Sequence, residues 1–227
     1  MDKKALIELI LEKEWPMFHN VNGEERASCQ NDYPVFEIMR KAQYEAWSAE
    51  ALTAYLNDIT AAAEAGRNLA REKYIRMMES TDPRGYEAFC GELPAVSEEK
   101  KALTEAIWAK MLVQTERMRE SYPILALGGR PLHASEERDG WASIETYQKS
   151  ELLTYSEPTL RALLAEIGRL EAEGKDFVFM VQENTVLGQG FRTMEEAETA
   201  MAAQFLKELN IEIGGGGCCC CQPDDEP

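Results

Sequence analysis

Residues 48–66 read SAEALTAYLNDITAAAEAG, and residues 156–174 read SEPTLRALLAEIGRLEAEG. Each stretch opens on a serine suited to cap a helix and closes on a glycine suited to end one. Between them, Leu52, Tyr55, Leu56 and Ile59 recur as Leu160, Leu163, Leu164 and Ile167. That i, i+3, i+4, i+7 spacing puts one apolar stripe on each helix. The match extends without a gap from Phe36–Leu69 to Ile144–Phe177, at an offset of 108, and includes Glu37/Glu145, Lys41/Lys149, Ala54/Ala162 and Trp47/Tyr155. Further upstream, residues 3–13 and 100–110 share seven of eleven positions at an offset of 97. A fixed register with shared caps reads as a tandem duplication.

Working outward from these helices predicts an all-α protein, a compact bundle of two pseudo-symmetric repeats of about five helices each. The first helix starts at Lys3 and is bent or ended at Pro16, and its copy runs from Glu98 to about Ser121, stopped by Pro123. Second helices begin near Val35 and Ala142. Fourth helices follow Gly66 and Gly174, and fifth helices begin at Asp82-Pro83 and at Thr193, where Glu196 completes a capping box. Phe177–Val181 is rich in β-prone residues but aligns with Leu69–Lys73, so it reads as buried helix. The expected organisation is a first repeat over 1–96, a second over 97–213 packed on the first as one body, and a disordered Gly/Cys/acidic tail over 214–227.

The chain has 227 residues and a formal net charge of -17. Such a surface repels phosphate backbones and anionic membranes, so nucleic acid and membrane are not expected partners. No apolar run approaches the ~20 residues that span a bilayer, and no targeting segment is visible, which points to a cytoplasmic protein. Of six cysteines, Cys29 and Cys90 stand alone, whereas Cys218, Cys219, Cys220 and Cys221 are contiguous. Thiols are the expected state. The stretches Ala27–Arg40, Gly66–Met78, Ile144–Ser156 and Glu183–Val186 resemble the bacterial family known as domain of unknown function 4125. The resemblance covers about residues 1–206 and implies no established activity. Some members carry nucleotidyltransferase-like domains, which implies an enzyme or subunit acting with such a partner as one reading.

Candidate chemistry lies in the loops between the first two helices of each half. One holds Arg26, Ser28 and Asp32; the other holds Arg130, His133 and Asp139. If the halves pack about a twofold, the loops would face one another. Their arginine forks would then suit a carboxylate or phosphate, with Glu37, Lys41, Glu145 and Lys149 behind them to orient it. The competing reading has the arginines brace the loops and the Glu/Lys pairs sit in solvent. His19 and His133 are the only histidines, and a thiol site would need a pair such as His133 with Cys29. Trp15, Trp47, Trp108 and Trp141 read as core. Cys218–Cys221 would offer a soft metal, Cu or Zn, a set of thiolates, although contiguous cysteines are a poor single-ion cage. The readings are therefore a helical module for a small anionic ligand or protein partner, a metal or thiol carrier, and an enzyme using Arg26, Asp32, Arg130, His133 and Asp139. None of the common nucleotide-binding, zinc-protease or serine-hydrolase signatures occurs.

Overall fold

A computed structural model describes residues 1–21, 28–127, 129–138 and 140–208, without the side chains of Ser28 and Cys29. Among these residues the chain is all-α, with eleven helices and no strands. They are α1 (Lys3–His19), α2 (Tyr33–Glu45), α3 (Ala49–Glu64), α4 (Leu69–Thr81), α5 (Pro83–Phe89), α6 (Glu98–Ser121), α7 (Pro123–Leu127), α8 (Ile144–Leu152), α9 (Glu157–Ala172), α10 (Phe177–Gly188) and α11 (Met194–Glu208).

Local chemistry sets these boundaries. Ser48 Oγ accepts the amide of Ala51 at 3.1 Å, and Ser156 Oγ accepts that of Thr159 at 3.4 Å, so each cap satisfies one orphan N–H. At the other ends, Gly66 and Gly174 adopt φ of 68° and 72°. This left-handed turn lets Arg67 N reach Ala62 O at 2.8 Å and Lys175 N reach Leu170 O at 2.9 Å. Pro16 lies inside α1 and does not end it; the helix runs on to His19. Glu196 N donates to Thr193 Oγ1 at 3.2 Å, but the Glu196 carboxylate reaches back to Arg192 N, not to Thr193. The capping box expected at Thr193 is thus half formed.

The two sequence-diagnostic helices, α3 and α9, pack on each other and bury Leu52, Tyr55 and Ile59 against Leu160, Leu163 and Ile167. Helix α1 crosses α3, and α6 crosses α9. The next layer changes sides: α2 packs on α10, and α8 packs on α4. One continuous cluster of buried side chains runs from Leu6 to Phe177 and includes both members of every such pair. A smaller cluster of Val186, Met194 and Ala197 seats α11 against α7. Trp47 and Trp108 are buried, but Trp141 is 61% exposed, contrary to its expected place in the core. It sits on a tight turn closed by an isolated backbone bridge to Arg138.

Candidate functional site

The crossing of α2, α4 and α8 above α1 and α3 brings charged residues into the interior. Glu14 falls on the buried stripe of α1 formed by Ile7, Ile10, Leu11 and Met17. Arg40 lies one turn before Tyr44 on α2, Lys73 one turn after Leu69 on α4, and Glu151 one turn before Tyr155 at the end of α8. Helical i, i+4 spacing places the pairs on α2 and α4 each on one face, whereas Tyr155 stands beyond the end of α8, in the link to α9. The four charges meet in this interior. Arg40 bridges both carboxylates, with Nη2 2.5 Å from Glu14 Oε1 and Nη1 2.6 Å from Glu151 Oε1. Lys73 Nζ lies 2.6 Å from Glu151 Oε2 and 3.3 Å from the centroid of the Tyr147 ring, a close cation–π contact.

Tyrosines complete the network. Tyr44 donates to Glu14 Oε2 at 2.6 Å, Tyr55 to Glu14 Oε1 at 3.0 Å, and Tyr155 to Glu151 Oε1 at 2.7 Å. Burial opposes the charge on Glu151, but Arg40 and Lys73 outweigh it and hold its carboxyl well below the usual range. Burial likewise opposes the Arg40 and Lys73 cations, and their carboxylate partners more than compensate, raising both. The three phenols are pushed up, first by burial.

Beside the network is a cavity of about 260 Å³. Its floor is Glu14, Arg40, Lys73 and Glu151; its walls include Phe18, Phe36, Leu69 and Tyr147; and Arg130 reaches it from the loop before α8. A count of hydrogen-bonding capacity shows what the cavity lacks. All four acceptor positions of Glu14 are taken, two by Arg40 and one each by Tyr44 and Tyr55. Glu151 accepts from Arg40, Tyr155 and Lys73. Every nitrogen of Arg40 donates. By contrast, Lys73 directs one hydrogen bond to Glu151, and Arg130 directs one to Ala142 O at 2.9 Å, with its guanidinium 5.2 Å from the Tyr147 centroid. Among the described residues, Lys73 and Arg130 therefore keep donors to spare at the cavity.

Of the described residues nominated from sequence, Arg130 alone lines this cavity. Asp32 caps α2 through Val35 N at 3.1 Å. Glu37 and Lys41 line a separate cleft against Lys3, Lys4 and Glu8 of α1. Glu145, Lys149 and His133 form a third group. Lys149 lies 3.0 Å from Glu145 and 2.8 Å from Glu105, His133 Nδ1 lies 4.0 Å from Glu145, and Ala134 N donates to the same carboxylate. That arrangement braces the loop before α8. Arg26, Asp139 and Cys218, Cys219, Cys220 and Cys221 lie outside the described residues, as does the Ser28 side chain. His19 Nδ1 donates to Gln30 O at 2.8 Å, and its ring rests on Trp15. Among the described residues, no group of three His, Cys, Asp or Glu side chains could hold a metal. No helix there is long and apolar enough to cross a membrane.

The family model described as "Protein of unknown function (DUF4125)" matches residues 4–199. No curated protein and no solved structure matches the chain.

Proposed function

The chain belongs to the DUF4125 family of unknown function, and we propose that it is a binding module whose ligand is a small anion held in the crevice between α2, α4 and α8. The supporting observation is the surplus of donors at a cavity with apolar walls. Three cations, Arg40, Lys73 and Arg130, stand against two carboxylates, Glu14 and Glu151. A ligand bearing a single negative charge would neutralise the remainder, in a protein whose overall charge is -17. The volume lies just under the ~300–1,000 Å³ of drug-sized sites, which suits a small metabolite.

The duplication read in the sequence supports the same role. Helices α3 and α9 have equal lengths and bounds offset by 108 residues. Trp47 and Tyr155, separated by that same offset, meet at 5.7 Å. Residues related by a twofold meet their own equivalents on its axis. The packing of α2 on α10 and of α8 on α4 is the pairing that the same symmetry would require. On this reading Glu14 corresponds to Met111, Arg40 to Gln148, Lys73 to Val181, Tyr44 to Leu152 and Tyr55 to Leu163. The twin of the charged crevice is thus filled mainly with apolar side chains, several of them in the core. A buried ion network is seldom more stabilising than well-packed hydrophobic residues. The fold can be built at this place without charges, so their presence in one copy argues for a binding role.

Native mass spectrometry of the freshly purified protein, followed by extraction of released small molecules, tests the reading. An anionic compound should co-purify or, if it is lost, members of a panel of carboxylates, sulfonates and phosphate monoesters should raise the melting temperature. Ala70→Phe, which fills the cavity, should abolish the effect. A protein that carries nothing and responds to no anion would end the proposal.

A further inference from the structure

We infer that the anion bound beside Lys73 and Arg130 is a straight-chain aliphatic monocarboxylate, its head on those two cations and its chain running out between Val35 and Met39. The inference rests on the binding reading above and narrows it to one chemical class.

Charge selects the head group. One positive charge is left after Glu14 and Glu151 are counted against Arg40, Lys73 and Arg130. A carboxylate matches that remainder, whereas a phosphate monoester carries about -1.5 to -2 near neutrality. A guanidinium fork also presents two parallel N–H groups, the geometry a carboxylate accepts.

Shape and ring contacts select the tail. The rings on the wall are already engaged. Phe18 stacks on Phe36 at 5.3 Å and 24°, Phe36 also packs on Trp15 at 5.1 Å, and the Tyr147 ring lies under the Lys73 ammonium. An aryl or nucleobase ligand stacking on Phe18, Phe36 or Tyr147 would compete with these contacts. Besides Tyr55, Tyr74 and Thr154, the remaining lining is Met17, Val35, Met39, Leu69 and Ala70. Unbranched, polarisable methionines adapt to a flexible chain. Val35 and Met39 line the cavity and are nevertheless 47% and 48% exposed. Two apolar side chains one helical turn apart, half in solvent at a cavity mouth, mark where the end of a chain would leave.

The test is isothermal titration of the full-length protein with the series butanoate to decanoate and with the matching primary alcohols. The affinity should rise about fourfold per added methylene until the cavity is filled, then level off. Each acid should bind at least tenfold more tightly than its alcohol. Arg130→Gln should close that gap and leave the increment per methylene unchanged. Met39→Gln, at the exposed mouth and harmless to folding, should erase the increment for the longest members only. A flat series, or acids and alcohols binding alike, overturns the aliphatic-carboxylate assignment. If instead a different anion co-purifies with the wild-type protein and no fatty acid competes with it, this assignment fails while the binding reading stands. If no anion of any class binds, both fail.

Discussion

Glu151 is the residue whose removal should be most costly, and the size of the cost follows from its surroundings. The side chain is 7% exposed and neutralises two cations at 2.6 Å, one from α2 and one from α4. Glu151→Gln keeps the volume and one hydrogen bond but leaves Arg40 and Lys73 to share the single charge of Glu14. Breaking a buried pair in this way costs about 3–5 kcal/mol. For a chain of this size that is a fall in melting temperature of roughly 6–20 °C. Urea unfolding followed by far-ultraviolet circular dichroism measures it directly, provided the slope m is unchanged. The informative partner is a variant in which the whole network is made neutral: Glu14→Met, Arg40→Gln, Lys73→Val and Glu151→Gln, the residues of the proposed twin crevice. Tyr44→Phe and Tyr55→Phe join the set, so that no phenol is left without an acceptor. Despite six changes, it should recover to within about 2 kcal/mol of the wild type, because buried charges are removed together with their partners. Its carboxylate affinity should fall at least tenfold, because Arg130 alone is left to meet the head group. If Glu151→Gln costs less than about 1 kcal/mol, the network is not energetically coupled. If the sixfold variant is as unstable as the single one, the charges are a structural requirement, and the argument from the twin crevice falls.

Stability should also depend on pH in a defined sense. The folded-state pKa of Glu151 is depressed, so its contribution is present above the usual carboxylate value of ~4.3 and is lost as pH falls through the lower folded value. Lys73 and the phenols of Tyr44, Tyr55 and Tyr155 are raised, so their contribution is complete below ~10 and is lost as pH climbs through the raised values. The urea midpoint should therefore be flat from about pH 5 to 9 and fall on both sides, with a shallower acid limb in Glu151→Gln; an unchanged acid limb would contradict the assignment. Two glycines should respond with opposite signs. Gly174→Ala places a side chain at φ 72° with no other obstruction and should cost about 1–2 kcal/mol, whereas Gly168→Ala, inside α9 with open space at its Cβ, should gain about 0.5–1 kcal/mol. Thermal melts that move both variants the same way would refute the capping argument. Deletion of residues 214–227 should leave carboxylate affinity within twofold. The soft-metal proposal for Cys218–Cys221 predicts Cu(I) or Zn(II) uptake that disappears with the same deletion, and unchanged uptake would remove it.

The helices were legible because their signals are local. Ser48, Ser156, Gly66 and Gly174 act within a few residues, and an apolar stripe is visible along one helix. The candidate site was not legible in the same way. Arg130 was found because arginine in a glycine-rich loop attracts notice, but its partners stand on helices where charged residues ordinarily face solvent. Lys73 and Glu151 are 78 positions apart, and their 2.6 Å contact depends on α4 packing against α8. Nothing in either segment alone announces it. A weaker signal was present: Glu14 interrupts the stripe of Ile7, Ile10, Leu11 and Met17. A charge on an otherwise apolar face is either a packing error or a buried group with a partner, and Met111 at the matched position in the other half points to the second. The recurrence of Glu37 and Lys41 as Glu145 and Lys149 suits either a ligand-orienting pair or a surface pair, and spacing alone does not choose between them. The members of the two pairs line different clefts, and Lys149 with Glu145 serves the loop before α8.

The placement of the charged crevice has a consequence for how the ligand and the fold depend on each other. Glu14, Arg40, Tyr55 and Lys73 come from before the seam at residue 96, while Arg130, Tyr147 and Glu151 come from after it. Arg40 touches both Gln43 and Glu151, positions separated by the 108-residue offset, so the network lies close to the proposed axis. A site on an axis is assembled only when both halves are present and correctly packed. Occupation by an anion would add a contact between Lys73 of the first half and Arg130 of the second, two cations that otherwise repel. Binding then stabilises the junction of the halves in proportion to RT ln(1 + [L]/Kd), about 2.7 kcal/mol at a hundredfold excess over Kd. Hydrogen exchange offers the discriminating observation. A saturating carboxylate should slow exchange in both α4 and α8 together, whereas protection confined to one of them would mean that the ligand does not bridge the crevice.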